Sequence, residues 1–394
     1  MLGPHQTIFL AAGERSGDLH GAGLAAALRR QNPALKICGI GGPEMAAAGV
    51  ELWADYGPLA VVGFTEVLPR IPRILSLINQ LGRRLEQEKP DLYVAIDAPD
   101  FNFRLMKRAR SAKIPIVYYI VPQFWAWRRG RLKTLARSVR SALVLFPFEK
   151  PLLEEAGVPA HFVGHPGVET LLPAQDKKSQ KVKLGFEGDK PLIALLPGSR
   201  ISEWRRHAKP LIDAMRWTGS IKPDFQWGLS IAPGLSPPLS ELGISADLDT
   251  CNKGKLMIFR GSVVSLLQAA DATLVASGTA SLEAAFLETP MIVFYRVSSL
   301  TYLIARWFIR IKHFAMVNVL AGESLVPELA QSKVAGASIG RALLDLLDNP
   351  ESLDRQLRGF RRIREQLARP VSYDRTADYI NRILEGQVDD SPPQ

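Results

Sequence analysis

Short β-rich runs alternate with helix-like segments along almost the whole chain, and this alternation narrows the fold more than any other feature. The runs TIFLAAG, LKICGIGG, DLYVAIDAP, IPIVYYIV, ALVLFPF and HFVGHP are separated by segments such as GAGLAAALRRQ and RILSLINQLGRRLEQEK. Short strands that are apolar throughout belong to parallel sheets covered by helices on both faces. A polar interval, PAQDKKSQKVKLGFEGDK, breaks the pattern from residue 173 to 190. It then restarts with PLIALLPGSR, FQWGLSIAPG, KLMIFRG, ATLVASGTASLEAAFL and PMIVFYR. At 394 residues the chain exceeds one ordinary core. The expectation is therefore α/β, with two doubly wound, Rossmann-like parallel-sheet domains facing a central cleft. The boundaries read as 1–172, a linker at 173–190, a second domain at 191–372, and a C-terminal helix and tail at 373–394. Ligands in such sheets bind beyond the carboxyl ends of the strands.

Composition removes several alternatives. The two cysteines, Cys38 and Cys251, are far apart and lack metal-type or redox-type spacing, which suits a reducing compartment. The start, MLGPHQTIFLAAGERSGD, reads as a first strand rather than a signal peptide. No run of eighteen apolar residues occurs, so no membrane-spanning helix is expected. The six histidines are scattered, and no metal site or cofactor is expected. A Gly-x-Ser-x-Gly elbow is missing, which leaves serine hydrolysis unsupported. The formal charge of +10 is unevenly placed: Phe101 to Arg140 holds eleven Lys or Arg and no Asp or Glu. Such a tract favours an anionic partner over mere solubility.

Candidate sites fall where strands end. The first strand runs into AAGERSGDLHGAG, which offers Gly13, Ser16 and Gly17. This is neither a dinucleotide fingerprint nor a P-loop, and it reads equally as a tight βα turn or as a ligand-approach loop. In the second half, LLPGSRISE places Ser199, Arg200 and Glu203 after a strand, and LVASGTASLEAAF places Ser277, Gly278 and Thr279 at a strand-to-helix junction. A helix N-terminus of that kind suits a phosphate. Glu283 follows one turn later, placed to accept from ribose hydroxyls. In YVAIDAPDFNFR, Pro99 is expected to hold Ala98 extended. Asp97 then lies at the strand end as the better base, and Asp100 caps the next helix. Two amphipathic basic stretches, RILSLINQLGRRL and YLIARWFIRIKHFA, read either as core-facing or as interfacial helices. In PQFWAWRRGRLK, Trp125 and Trp127 join Arg128, Arg129 and Arg131 as aromatic anchors beside anion binders.

Taken together, GERSGDLHGAG, GGPEM, GFTEVL, DAPDFN, PQFWAWR, PFEK, GHP, LLPGSRISE, SGTASLE and NVLAGESLVPELAQ resemble the lipid-A-disaccharide synthase family, in order, from about Phe9 to Gln331. The resemblance implies a GT-B fold and an inverting glycosyltransferase. It implies transfer of 2,3-diacylglucosamine from UDP to a diacylglucosamine 1-phosphate acceptor, giving a β-1,6-linked disaccharide. The implied place is the cytoplasmic face of the Gram-negative inner membrane, as a peripheral protein on an anionic surface. By the same similarity Asp97, Arg200 and Asn318 are the catalytic candidates. Gly13, Ser16, Gly17, Ser199, Glu203, Ser277, Gly278, Thr279 and Glu283 are assigned to the nucleotide sugar. Trp125, Trp127, Arg128, Arg129 and Arg131 are assigned to the acceptor and membrane. Trp204 and Val317 depart from the family's usual residues at their positions. Nucleic acid is not an expected partner, and the oligomeric state is left open, a homodimer included. Two rivals stand beside this reading: a sugar-nucleotide epimerase on the same fold, which needs no lipid acceptor, and a non-catalytic basic membrane-surface protein.

Overall fold

The computed structural model describes residues 6–57, 59, 71–122, 130–232, 235–237, 239, 256–260, 262–297, 313–368 and 372–387. Trp125, Trp127, Arg128 and Arg129 lie outside these residues, as does YLIARWFIRIKHFA up to Lys312. The chain divides into two compact units, residues 1–166 with 367–394, and residues 167–366.

In the first unit the described strands are β1 (Thr7–Ala12), β2 (Lys36–Gly41), β3 (Glu51–Asp55), β4 (Leu92–Ile96), β5 (Ile116–Tyr119), β6 (Ser141–Val144) and β7 (Ala160–Phe162). They form one parallel sheet in the order 3-2-1-4-5-6-7. Strands β4, β5 and β6 are buried along their whole length, which is why their sequences are unbroken apolar runs. Phe9, Trp53 and Tyr93 pack ring on ring over one face, with centroids 4.9 and 5.3 Å apart. The amphipathic helix Ile71–Glu88 turns Ile78, Leu81 and Leu85 into this core while Ile71 and Leu75 stay exposed. Of the two readings open for this stretch, the core one holds for its last three turns.

The second unit holds β8 (Leu192–Leu196), β9 (Gln226–Ser230), β10 (Leu256–Phe259), β11 (Ala272–Ala276), β12 (Met291–Tyr295) and β13 (Glu328–Ala330). This sheet is also parallel among the described residues, in the order 10-9-8-11-12-13. Trp204 and Val317, noted above as departures from the resemblance, are both buried, Trp204 in the core with Trp227.

Two boundaries differ from those expected. The stretch 173–190 is not a free linker but part of the second unit. Its helix Lys177–Lys183 is capped by Asp176, and the buried Lys181 ammonium pairs with Asp271 at 2.7 Å and donates to the Lys190 carbonyl at 2.8 Å. A buried, paired lysine looks like a solvated one in sequence, which is why the interval reads as a linker. At the other end, the chain returns to the first unit at Leu367. The helix Ser372–Leu384 packs on the helix Arg15–Gln31, where Tyr373 Oη lies 3.1 Å from His20 Nδ1 and Asn381 donates to Gln31 at 2.8 Å.

Candidate active site

In each sheet the strand order reverses once beside the first strand: between β1 and β4 in one unit, between β8 and β11 in the other. Crossover helices diverge to opposite faces at such a point and leave a crevice beyond the carboxyl ends. The motifs singled out above lie there. The Gly13–Gly17 turn follows β1 and Asp97 follows β4; the Pro-Gly-Ser-Arg turn follows β8 and the Ser-Gly-Thr turn follows β11.

In the first unit the two turns touch. A Cβ on Gly13 would stand 2.5 Å from that of Ala98, so only glycine lets the β1 turn approach so closely. Asp97 and Ala98 both have left-handed backbone, with φ of 45° and 44°. Ala98 is thus not extended, and the helix starts at Pro99 with Ala98 itself at the cap position. Left-handed backbone costs a non-glycine residue roughly 1–2 kcal/mol. The turn places the half-buried Asp97 carboxyl beside the Glu14 carboxyl of the β1 turn, close enough to hydrogen-bond when one of the two holds a proton. Burial first, then the Glu14 charge, push the Asp97 carboxyl up to about 7. Ser16 Oγ donates to Glu14 Oε1 at 2.6 Å, steadying the second carboxylate. Gly17 seats its helix on the end of β1, with Ala12 Cβ 3.3 Å from where its own Cβ would be.

Asp100 is not the helix cap. It sits in the exposed first turn and pairs with Arg131 at 2.5 Å, while the Arg131 guanidinium lies 5.5 Å from the Phe103 ring centre. Buried Asp18, in the same glycine-rich stretch, is structural. It accepts from the backbone amides of Gly42, Glu44 and Met45 at 2.7–3.1 Å and fixes the loop after β2.

In the second unit Gly198 has a φ of +116°, and Glu203 fills the space where a side chain would be. Glu203 Oε2 accepts from the amides of Ser199 and Arg200 at 3.0 and 3.3 Å, and its Oε1 accepts from the Arg200 guanidinium at 3.0 Å. Its carboxylate is only 12% exposed, whereas the Arg200 side chain is 50% exposed. Glu203, expected to touch the nucleotide sugar, has its oxygens occupied in shaping the turn and aiming Arg200. Behind it, buried His207 takes the Arg296 amide on Nε2 at 3.1 Å and meets the Pro197 carbonyl through Nδ1 at 2.8 Å. Burial lowers its pKa, so the neutral ring ties the ends of β8 and β12 together.

At the β11 turn, Gly278 and Thr279 are exposed and no side chain caps the helix Thr279–Phe286. Ser277 donates to the Phe314 carbonyl at 3.2 Å. The half-buried Glu283 carboxylate has no hydrogen-bond partner among the described residues, and burial raises its pKa. Asn318, expected as catalytic, is wholly buried with its amide spent. It exchanges hydrogen bonds with the Val326 backbone at 2.8 and 2.9 Å and donates to Glu328 at 2.8 Å. Glu328 in turn accepts from the amides of Phe314 and Ala315. Asn318 is thus tied through Glu328 to the segment that brings the Phe314 carbonyl to Ser277.

Sequence reasoning gave Glu14 no role in its glycine-rich turn and passed over Asn102, Tyr118 and His207. Asn102 did leave a signal: it shares the buried stripe of its helix with Phe101, Leu105, Met106 and Ala109, an unusual place for an amide.

Comparison with known proteins fits this geometry. The chain is 37% identical to the lipid-A-disaccharide synthase of Myxococcus xanthus, over 96% of this chain and 97% of the relative. It is 38% identical to that of Syntrophus aciditrophicus, over 94% and 96%. Among solved structures, UDP-GlcNAc 2-epimerase from Neisseria meningitidis superposes with a TM-score of 0.65. That match covers 97% of this chain and 100% of the other at 15% identity, a likeness of fold alone. The model of the lipid-A-disaccharide synthetase family matches residues 8–383, and the chain belongs to that family.

Proposed function

We propose that this chain condenses UDP-2,3-diacylglucosamine with 2,3-diacylglucosamine 1-phosphate, releasing UDP and the β-1,6-linked disaccharide 1-phosphate. The observation that carries the proposal is Asp97, held by a left-handed turn at the carboxyl end of β4 and facing a second carboxylate. In this reading the ionised Asp97 takes the proton of the acceptor's primary hydroxyl. That oxygen forms its bond to the anomeric carbon as the carbon–oxygen bond to UDP breaks, with the electron pair going to the diphosphate. Attack and departure on opposite faces invert the configuration. A positioned general base contributes roughly 10²–10⁴ in rate.

Each unit brings one part of the chemistry. In the second, the Arg200 guanidinium and the uncapped helix at Thr279 neutralise the departing diphosphate, with Ser199, Ser277 and Gly278 shaping the turns that hold it. Unpartnered Glu283 accepts from the ribose hydroxyls. In the first, Gly13 and Gly17 let the β1 turn close on Asp97, and Ser16 holds Glu14. The acid-free tract from Phe101 to Arg140, with Trp125, Trp127, Arg128 and Arg129, takes the acyl-sugar phosphate from an anionic membrane surface at the cytoplasmic face. In this reading attachment is peripheral; no helix among the described residues is long and apolar enough to cross a membrane. Sugar-nucleotide epimerisation needs no lipid acceptor and leaves that tract without a purpose.

Purified protein given both acylated sugars should release UDP and disaccharide in equal amounts. Consumption of the nucleotide sugar without the acceptor, or its epimerisation, would sink the reading.

A further inference from the structure

The turn that aims Asp97 is held from below by uncharged residues that no catalytic role has yet absorbed. Asn102 is wholly buried, and its side-chain amide nitrogen reaches three carbonyls: Asp97 at 2.8 Å, and Ala11 and Ile96 at 3.3 Å each. Ala11 belongs to β1 and Ile96 to β4, so one amide spans the point where the strand order reverses. Tyr93 fixes its orientation. The Tyr93 hydroxyl donates to Asn102 Oδ1 at 2.7 Å, which commits the nitrogen to the carbonyls. From β5, the Tyr118 hydroxyl donates to the same Asp97 carbonyl at 2.7 Å. Burial raises the pKa of both phenols, so they remain neutral donors.

Two consecutive non-glycine residues in left-handed backbone persist only where their surroundings over-determine them. Packing alone accounts for two buried tyrosine rings. It does not account for two independent donors converging on the one carbonyl at the left-handed turn. We propose that Asn102 and Tyr118 are positioning residues for the base, holding the Asp97 turn so that its carboxyl meets the acceptor hydroxyl. This rests on the reading of Asp97 as the base. The groups facing that carboxyl are Glu14 from the β1 turn and Tyr118 from β5, with Arg131 acting on Tyr118 from the neighbouring helix.

The test uses the full-length protein, UDP-2,3-diacylglucosamine and 2,3-diacylglucosamine 1-phosphate, with UDP release as the readout. Tyr118→Phe and Tyr93→Phe each remove one hydroxyl and keep the ring. The first leaves the Asp97 carbonyl with only one of its two side-chain donors, and the second frees the Asn102 amide to rotate. Each should lower kcat about ten- to a hundredfold while both KM values stay within about twofold, the signature of a misaimed group. The acid limb of the pH–rate profile should move to lower pH, because a loosened carboxyl leaves its buried place beside Glu14. In an Asp97→Asn background, Tyr118→Phe should cost the residual rate nothing more, since it acts through Asp97. Wild-type kcat in both hydroxyl variants, a reduced kcat with an unmoved acid limb, or a further loss in that background would each overturn the proposal. Near-normal turnover by Asp97→Asn alone would instead remove the base reading, and this inference with it.

Discussion

Asp97 binds its proton far more tightly than a solvated aspartate, and its environment gives the order of causes: burial, then the Glu14 charge. A base works only when ionised, so turnover should rise with pH through about 7. Glu14→Gln removes the like charge and should move that rise to lower pH, measured as kcat from about pH 5 to about pH 9. A midpoint that shifts upward or stays put would show that Glu14 does not tune Asp97. The same shift has a stability consequence. A carboxyl whose folded pKa is raised stabilises the fold fully below its unfolded value of 3.8, and that contribution is lost as pH rises through about 7. Above pH 7, Asp97→Asn should therefore melt no lower than the parent, which separates its loss of turnover from any loss of fold. Arg200 shows the converse arrangement. Its charge stays half exposed while Glu203 occupies the amides of its turn.

Among elements, the fit that bears on the site is between the β1 turn and the β4 turn. Gly13→Ala would drive a methyl group into Ala98, with only 2.5 Å between the two Cβ atoms, and neither turn is free to yield. The variant should lose most of its turnover and melt lower. Ala98→Gly removes the opposing methyl, and its left-handed φ of 44° suits glycine. The double variant Gly13→Ala/Ala98→Gly should thus recover a large part of both, read as melting temperature and UDP release. Failure to recover either would place the cost of Gly13→Ala elsewhere than this contact. The βα grammar around these turns was legible because a buried parallel strand has to be an apolar run. The conformation of the turns was not. Pro99 argues for an extended Ala98, yet a tyrosine hydroxyl from β5 and the Asn102 amide of the following helix hold the preceding carbonyl in a left-handed turn.

Across the whole molecule, the proposed membrane attachment rests on charge distribution. Arg104, Lys107, Arg108 and Arg110 lie exposed on the helix Pro99–Ser111, within the acid-free tract. The protein should co-sediment with vesicles containing phosphatidylglycerol and detach as salt is raised, because screening beyond about 10 Å sets in near 0.1 M. Equal partition onto neutral vesicles, or indifference to salt, would leave the tract without its proposed partner.

The sequence by itself determined two parallel α/β units, the strand ends at which chemistry gathers, the family, and Asp97, Arg200 and the Ser-Gly-Thr turn as candidates. Local pattern suffices there, since strand burial, glycine turns and helix starts are written within a few residues of one another. Only the tertiary structure decided what stands behind each candidate. It paired Glu14 with Asp97 across some eighty residues of chain, spent Asn318 on Val326 and Glu328, and turned Glu203 back onto its own loop. It also folded an apparent linker onto Asp271 through a buried lysine. A carboxylate or amide acquires its role from the donors that surround it, and most of those donors arrive from other strands and turns.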